Sequence, residues 1–172
     1  MAVTPQQAVD AANDAYGRHP GYRALHAKGT LLKGTFTATQ QAAVLSHAAH
    51  FQGDPVPVTV RVSNGSGHPR SPDYAPDVRG LAVKMYLPDG SRTDIVAQSA
   101  PRFPIRTPEA FLEMLRATSP SPAAAWRMPL FLLRHPEAIP CLPANLSALA
   151  PPASYATIPY YAVHAYLFLD GQ

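Results

Sequence analysis

The chain carries a single cysteine, Cys141, in 172 residues. That excludes an internal disulfide framework and any multi-cysteine metal centre. Charge is scarce as well: Asp, Glu, Lys and Arg together make up 15% of the residues. Lys and Arg (14) exceed Asp and Glu (11) and the pI is near 9.2, yet the basic residues are scattered singly. A nucleic-acid footprint, which needs them clustered, is therefore not supported. So little charge on a small domain points to a surface partly covered by a partner chain or by further sequence. No apolar stretch reaches a membrane span; MPLFLLRHPEAIPCL is broken by Arg134, His135 and three prolines. The first twenty residues lack the basic start and apolar centre of a secretory leader, so a cytoplasmic location is expected. No Walker loop, zinc-protease motif, nucleophile elbow or dinucleotide fingerprint occurs.

Proline is plentiful, with 20 residues, and implies many short elements joined by ordered loops. The length suits one domain, residues 1–172. Thr4 and Pro5 open a helix over 5–16 that Gly17 stops. A strand over 30–39 bends at Gly34, and a helix over 39–50 follows. Strands at 79–87 and 92–98 flank Pro88-Asp89-Gly90-Ser91, a strong hairpin signal. Helices are expected at 107–118, 122–134 and 136–142, and a buried last strand at 160–169. The chain stops at Asp170-Gly171-Gln172, which reads as the opening of another hairpin turn. Strands, then helices, then a strand argue an α+β fold with an antiparallel sheet or barrel.

The strand over 56–63 carries the most information. Val56, Val58, Val60 and Val62 alternate with Pro57, Thr59, Arg61 and Ser63, so the valines share one face while Arg61 and Ser63 share the other. Two readings are open: a strand buried on both sides with a polar ligand on the second, or a surface strand with its polar face in water. Of the seven histidines, His47 and His50 lie three apart on the expected helix, while His68 and His135 sit beside prolines where exposed loops are expected.

Five blocks in order resemble the N-terminal half of the haem catalases. They are Arg23-Ala24-Leu25-His26-Ala27-Lys28-Gly29, Val60-Arg61-Val62-Ser63, Asp77-Val78-Arg79-Gly80-Leu81-Ala82-Val83-Lys84, Asp94-Ile95-Val96-Ala97-Gln98, and the run from Pro101 to Phe111. The wording HPGYRALHAKG and the proline-rich loop before Asp77 are closer to the small catalase-related peroxidases. The resemblance implies an antiparallel β-barrel with interspersed helices, cut after its first half, and a haem b cofactor. It implies that His26 is the distal proton shuttle, that Ser63 fixes its tautomer, and that Gln98 stands where catalases place a distal asparagine. By the same resemblance Arg23 and Arg61 pair with haem propionates. Leu25, Gly80, Val96, Phe103 and Phe111 line the haem or its pocket, and His164 lies near the opposite face.

The family holds its iron with a tyrosine one turn after an arginine. Arg18-x-x-x-Tyr22 has this spacing but falls in the distal segment. The implied function is a haem-dependent peroxidase or catalase acting on hydrogen peroxide or organic peroxides with a small organic electron donor. Alternatives are a non-catalytic haem-binding half and a barrel for apolar ligands. The expected partners are an oligomer or a second chain that completes the barrel, with neither nucleic acid nor membrane.

Overall fold

A computed structural model of the chain describes residues 3–119 and 121–162. Helix α1 spans Pro5–Tyr16 and begins in a reciprocal cap: Gln7 N donates to Thr4 Oγ1 at 3.3 Å and Thr4 N donates to Gln7 Oε1 at 2.9 Å. Gly17 ends it at φ 84, where a side chain would be strained.

Strands β1 (Gly29–Phe36), β2 (Val56–Asn64), β3 (Arg79–Tyr86), β4 (Arg92–Gln98) and β5 (Tyr161–Ala162) form one sheet in sequence order. Every pairing is antiparallel. The β3–β4 hairpin is closed by Leu87 N donating to Ser91 O at 3.0 Å, with Gly90 at φ 81. The α+β class is as expected. The described strands form an open five-stranded sheet that does not close into a barrel, as a barrel cut after its first half would. The expected strand over 160–169 pairs through Tyr161 and Ala162 only, and the rest of it lies outside the described residues.

Register gives the sheet two different faces. Val58 lies opposite Met85, Val60 opposite Val83 and Val62 opposite Leu81. Phe36, Val60, Val83, Leu87 and Ile95 build the apolar cluster around buried Val56, Val58 and Met85. The opposite face carries Leu31, Arg61, Ala82 and Val96 in one row, and Gly29, Ser63, Gly80 and Gln98 in the next. Ser63 and Asn64 are 5% and 1% exposed. The C-terminal end of β2 is thus buried on both sides, which overturns the water-facing reading there.

Helices α3 (Pro108–Thr118) and α4 (Ala124–Arg134) supply the second apolar region. Ala110, Ala117 and Phe131 pack together, and Leu112 and Leu115 pack on Ala11 and Ala12 of α1. Burying each such leucine contributes about 1.5–3 kcal/mol. Two helices differ from expectation. The helix expected over 39–50 shrinks to α2 (Gln40–Leu45) plus a 3-10 turn at Ala49–Phe51. Ser46 interrupts it by accepting Ala48 N on its own hydroxyl at 3.2 Å, while Gln52 Nε2 takes the Ser46 carbonyl at 2.9 Å. The segment Pro136–Cys141 is 3-10 and runs into a short α5 (Leu142–Ser147) that the sequence pattern did not announce. Pro140 and Pro143 account for this, since neither can donate to an α-helical ladder.

Candidate functional site

His26 sits between α1 and β1 with φ 53, the only non-glycine residue at positive φ among the described residues. Such a conformation costs on the order of 1–3 kcal/mol and persists only when surrounding bonds fix it. Here they do. His26 N donates to Gly65 O at 3.1 Å, Ala27 N donates to Ser66 O at 3.0 Å, and Arg61 Nη2 donates to His26 O at 2.6 Å. The 65–66 turn is itself held by Asp77, whose Oδ2 accepts Ser66 N and whose Oδ1 accepts Val78 N, both at 2.8 Å.

The His26 ring lies with Nδ1 3.1 Å from Ser63 Oγ. Gly80, directly across from Ser63 in the sheet, makes room for it. A Cβ at position 80 would stand 2.7 Å from Ser63 Oγ and 2.8 Å from His26 Nδ1. Burial pushes the His26 imidazole below its ordinary pKa, Arg61 and Arg23 push the same way, and Asp77 and the Asn64 backbone oppose them. The ring is therefore neutral at pH 7 and able to take a proton.

A lowered folded pKa means that, below about pH 6.5, the unfolded chain binds a proton at this histidine that the folded chain resists. Stability should therefore fall as pH drops from that value toward the folded pKa. His26→Asn should flatten this part of a urea-denaturation pH series.

Arg61 is half-buried and Arg23 exposed, and among the described residues no carboxylate pairs with either. Each lies close enough for Arg23 to depress the Arg61 pKa, after burial, the larger cause. Two neighbouring cations without a counter-charge favour an anionic ligand. Beyond them the same sheet face is apolar and open: Leu31 is 67% and Val96 52% exposed. Phe103, also exposed, lies 6.2 Å from Phe111 between ring centroids. Gln98 faces Gly80 across β3–β4, beside the histidine.

The structure thus gathers His26, Ser63, Gly80, Gln98, Arg61 and Val96 on one face. Leu25 does not join them, because it packs with Ala24 against α1 and α3. His164 lies outside the described residues. His47 and His50 do not share a helix, since α2 ends at Leu45. The loop histidines are half-buried rather than exposed: His68 stacks edge-on with His19 at 4.8 Å, and His135 lies 3.3 Å from both Glu113 and Glu137.

Sequence reasoning missed the fully buried Arg79, whose Nη1 donates to Asn64 Oδ1 at 3.1 Å and whose Nη2 donates to the Asp73 and Ala75 carbonyls at 2.9 and 2.7 Å. The available signal was an arginine opening the largely apolar strand RGLAVKMY.

The catalase family model matches residues 16–172. This chain belongs to the catalase family. It is 49% identical to a catalase-related peroxidase of Mycolicibacterium paratuberculosis, over 99% of this chain and 55% of that protein. A catalase-related peroxidase of Synechococcus elongatus is 34% identical over 98% of this chain and 50% of its own length. The catalase of Vibrio parahaemolyticus is 35% identical over 87% and 31%. A bacterial catalase structure superimposes with a TM-score of 0.60 at 26% identity, over 80% of this chain and 28% of that one. This catalase-family chain spans about half the length of the peroxidases it matches. Its described residues include no helix long and apolar enough to cross a membrane.

Proposed function

We propose that this chain is the distal half of a haem-dependent peroxide oxidoreductase, with the sheet face bearing His26 as one wall of the haem site. The carrying observation is the coincidence of a neutral half-buried histidine, an Arg23–Arg61 pair with no carboxylate partner among the described residues, and an open apolar surface. A flat apolar ligand with an anionic edge matches that surface. Haem b has this shape, with its propionates the natural partners of the two guanidiniums. Gly29 supports the fit, because a Cβ there would stand 2.6 Å from the Arg61 guanidinium and drive it out of place.

When bound, haem supplies the redox chemistry of peroxide reduction. The protein's own part is proton transfer and orientation. His26, neutral and held by Ser63, takes a proton from one peroxide oxygen and returns it to the other. Gln98 offers an amide beside the histidine, one methylene longer than asparagine, which moves the donor by roughly 1.5 Å. That displacement favours peroxidation with a small organic donor over dismutation.

Tyr22, 58% exposed on the distal segment, does not supply the tyrosine that the resemblance implies would hold the iron. Strand β1 is paired on one side only among the described strands, so its free edge is where a completing chain or an oligomer partner would add strands. A second reading, a pocket for apolar ligands, rests on a groove of about 540 Å³ on the valine face, lined by Leu32, Val60, Val62 and Leu81.

A haem titration followed by Soret absorbance tests the first reading. Arg61→Leu removes a charge-assisted contact, about 1.5–3 kcal/mol, and should weaken haem binding by roughly 10- to 150-fold. Equal affinity in wild type and variant would favour the second reading, with any haem lodged elsewhere.

A further inference from the structure

Arg79 has no exposed surface and, among the described residues, no carboxylate in contact with its guanidinium. Burying a cation in this way is costly unless its bonds serve the fold or a site. Two of those bonds go to the Asp73 and Ala75 carbonyls, and the third goes to Asn64, the residue directly opposite it in the β2–β3 pairing. Asn64 is itself 1% exposed, and its side chain is fully engaged. Its Oδ1 accepts from Arg79 Nη1 and from the Tyr155 hydroxyl, and its Nδ2 donates to Asp73 Oδ1 at 3.1 Å. The Arg79 guanidinium also lies over the Tyr155 ring, 5.6 Å from the centroid.

The backbone of Asn64 turns the other way. Its peptide follows Ser63, whose hydroxyl meets His26 Nδ1, and its backbone acts on the His26 ring in favour of the protonated form. Asn64 N donates to Lys28 O at 3.3 Å, two residues beyond the histidine. A displacement of Asn64 is therefore felt on both sides of His26, through the ring and through the main chain.

We propose that Arg79 is a positioning residue that, through Asn64, holds the Ser63–Asn64 peptide against the His26 ring and fixes its tautomer. Tyr155 is the outer member of the same chain of contacts, so the segment that carries it is coupled to the site. The proposal rests on His26 being the proton-moving group. Its test needs no haem, so a failure of the haem reading would not be mistaken for a failure here.

The tautomer is read directly by long-range proton–nitrogen correlation of the imidazole in the unloaded chain. Arg79→Lys keeps the charge but cannot reach Asn64, Asp73 and Ala75 together. Tyr155→Phe keeps the ring over the guanidinium and removes only the hydroxyl on Asn64. Ser63→Ala, which deletes the direct partner, marks full loss.

In the wild type one His26 tautomer should dominate by about tenfold or more. In Arg79→Lys the ratio should fall to the Ser63→Ala value, and in Tyr155→Phe part of the way, with far-UV dichroism unchanged. A folded Arg79→Lys chain with the wild-type ratio overturns the proposal, and so does a wild type without a dominant tautomer. If Arg79→Lys does not fold, Tyr155→Phe decides: a shifted ratio supports the proposal and an unchanged one overturns it.

Discussion

On the proposed function, Gly80→Ala should slow peroxide reactivity about a hundredfold while leaving the chain folded. The added methyl would stand 2.7 Å from Ser63 Oγ, 2.8 Å from His26 Nδ1 and 2.9 Å from His26 Cε1, all closer than real contacts allow. Each of these atoms belongs to the end of a side chain, so the side chains yield before the sheet does. Small-to-large changes of this kind cost about 1–3 kcal/mol. In a chain of this length that is a fall in Tm of roughly 2–12 °C. Function pays more, because the imidazole must swing away from Ser63, and a misplacement of about 1 Å costs on the order of a hundredfold in rate. Peroxide kinetics and a thermal melt on the same preparation separate the two effects. A variant that loses its cooperative melt, or one that keeps wild-type kinetics, would show that the ring does not occupy this place.

Gly67→Ala should do the reverse and fail chiefly in stability. A Cβ at position 67 would overlap the Ala24 carbonyl oxygen and lie 2.9 Å from Tyr16 Cβ. A carbonyl in the segment leading to His26 cannot rotate aside as a side chain can. The main-chain hydrogen bonds from His26 to Gly65 and from Ala27 to Ser66 are close by and would be strained with it. The cost is expected at the upper end of overpacking, about 3 kcal/mol, or roughly 6–12 °C in Tm. Differential scanning calorimetry measures it. A shift within the noise would mean that the 64–78 loop and the distal segment are not packed against each other.

These two glycines mark what the sequence could and could not reveal. Alternation in β2 placed Arg61 and Ser63 on one face, and the hairpin at Pro88–Ser91 placed β3 against β4. Both follow from local rules with a period of two or a fixed turn length. Periodicity could not choose between water and a ligand for the polar face, because that depends on what the 17–28 segment does. That segment has no regular structure, and its course is set by long-range bonds to Gly65, Ser66 and Arg61. Without the family resemblance, His26 would have stayed one histidine among seven.

The placement of Leu25 depends on the same segment. Its neighbour His26 faces the site, and the left-handed turn at φ 53 sends Leu25 into the α1–α3 packing. Arg79 escaped notice because a charged residue at a strand end ordinarily faces solvent. Its burial depends on carbonyls from the 73–75 loop, which no local pattern announces.

The most direct test of the account is peroxide addition to the haem-loaded chain, followed by Soret absorbance, in wild type and His26→Ala. The account predicts a tight one-to-one haem complex in both, with a peroxide-dependent spectral change in the wild type that His26→Ala slows by about 10²–10⁴-fold. Equal reactivity of the two proteins, or haem binding no tighter than to an unrelated protein, would contradict it.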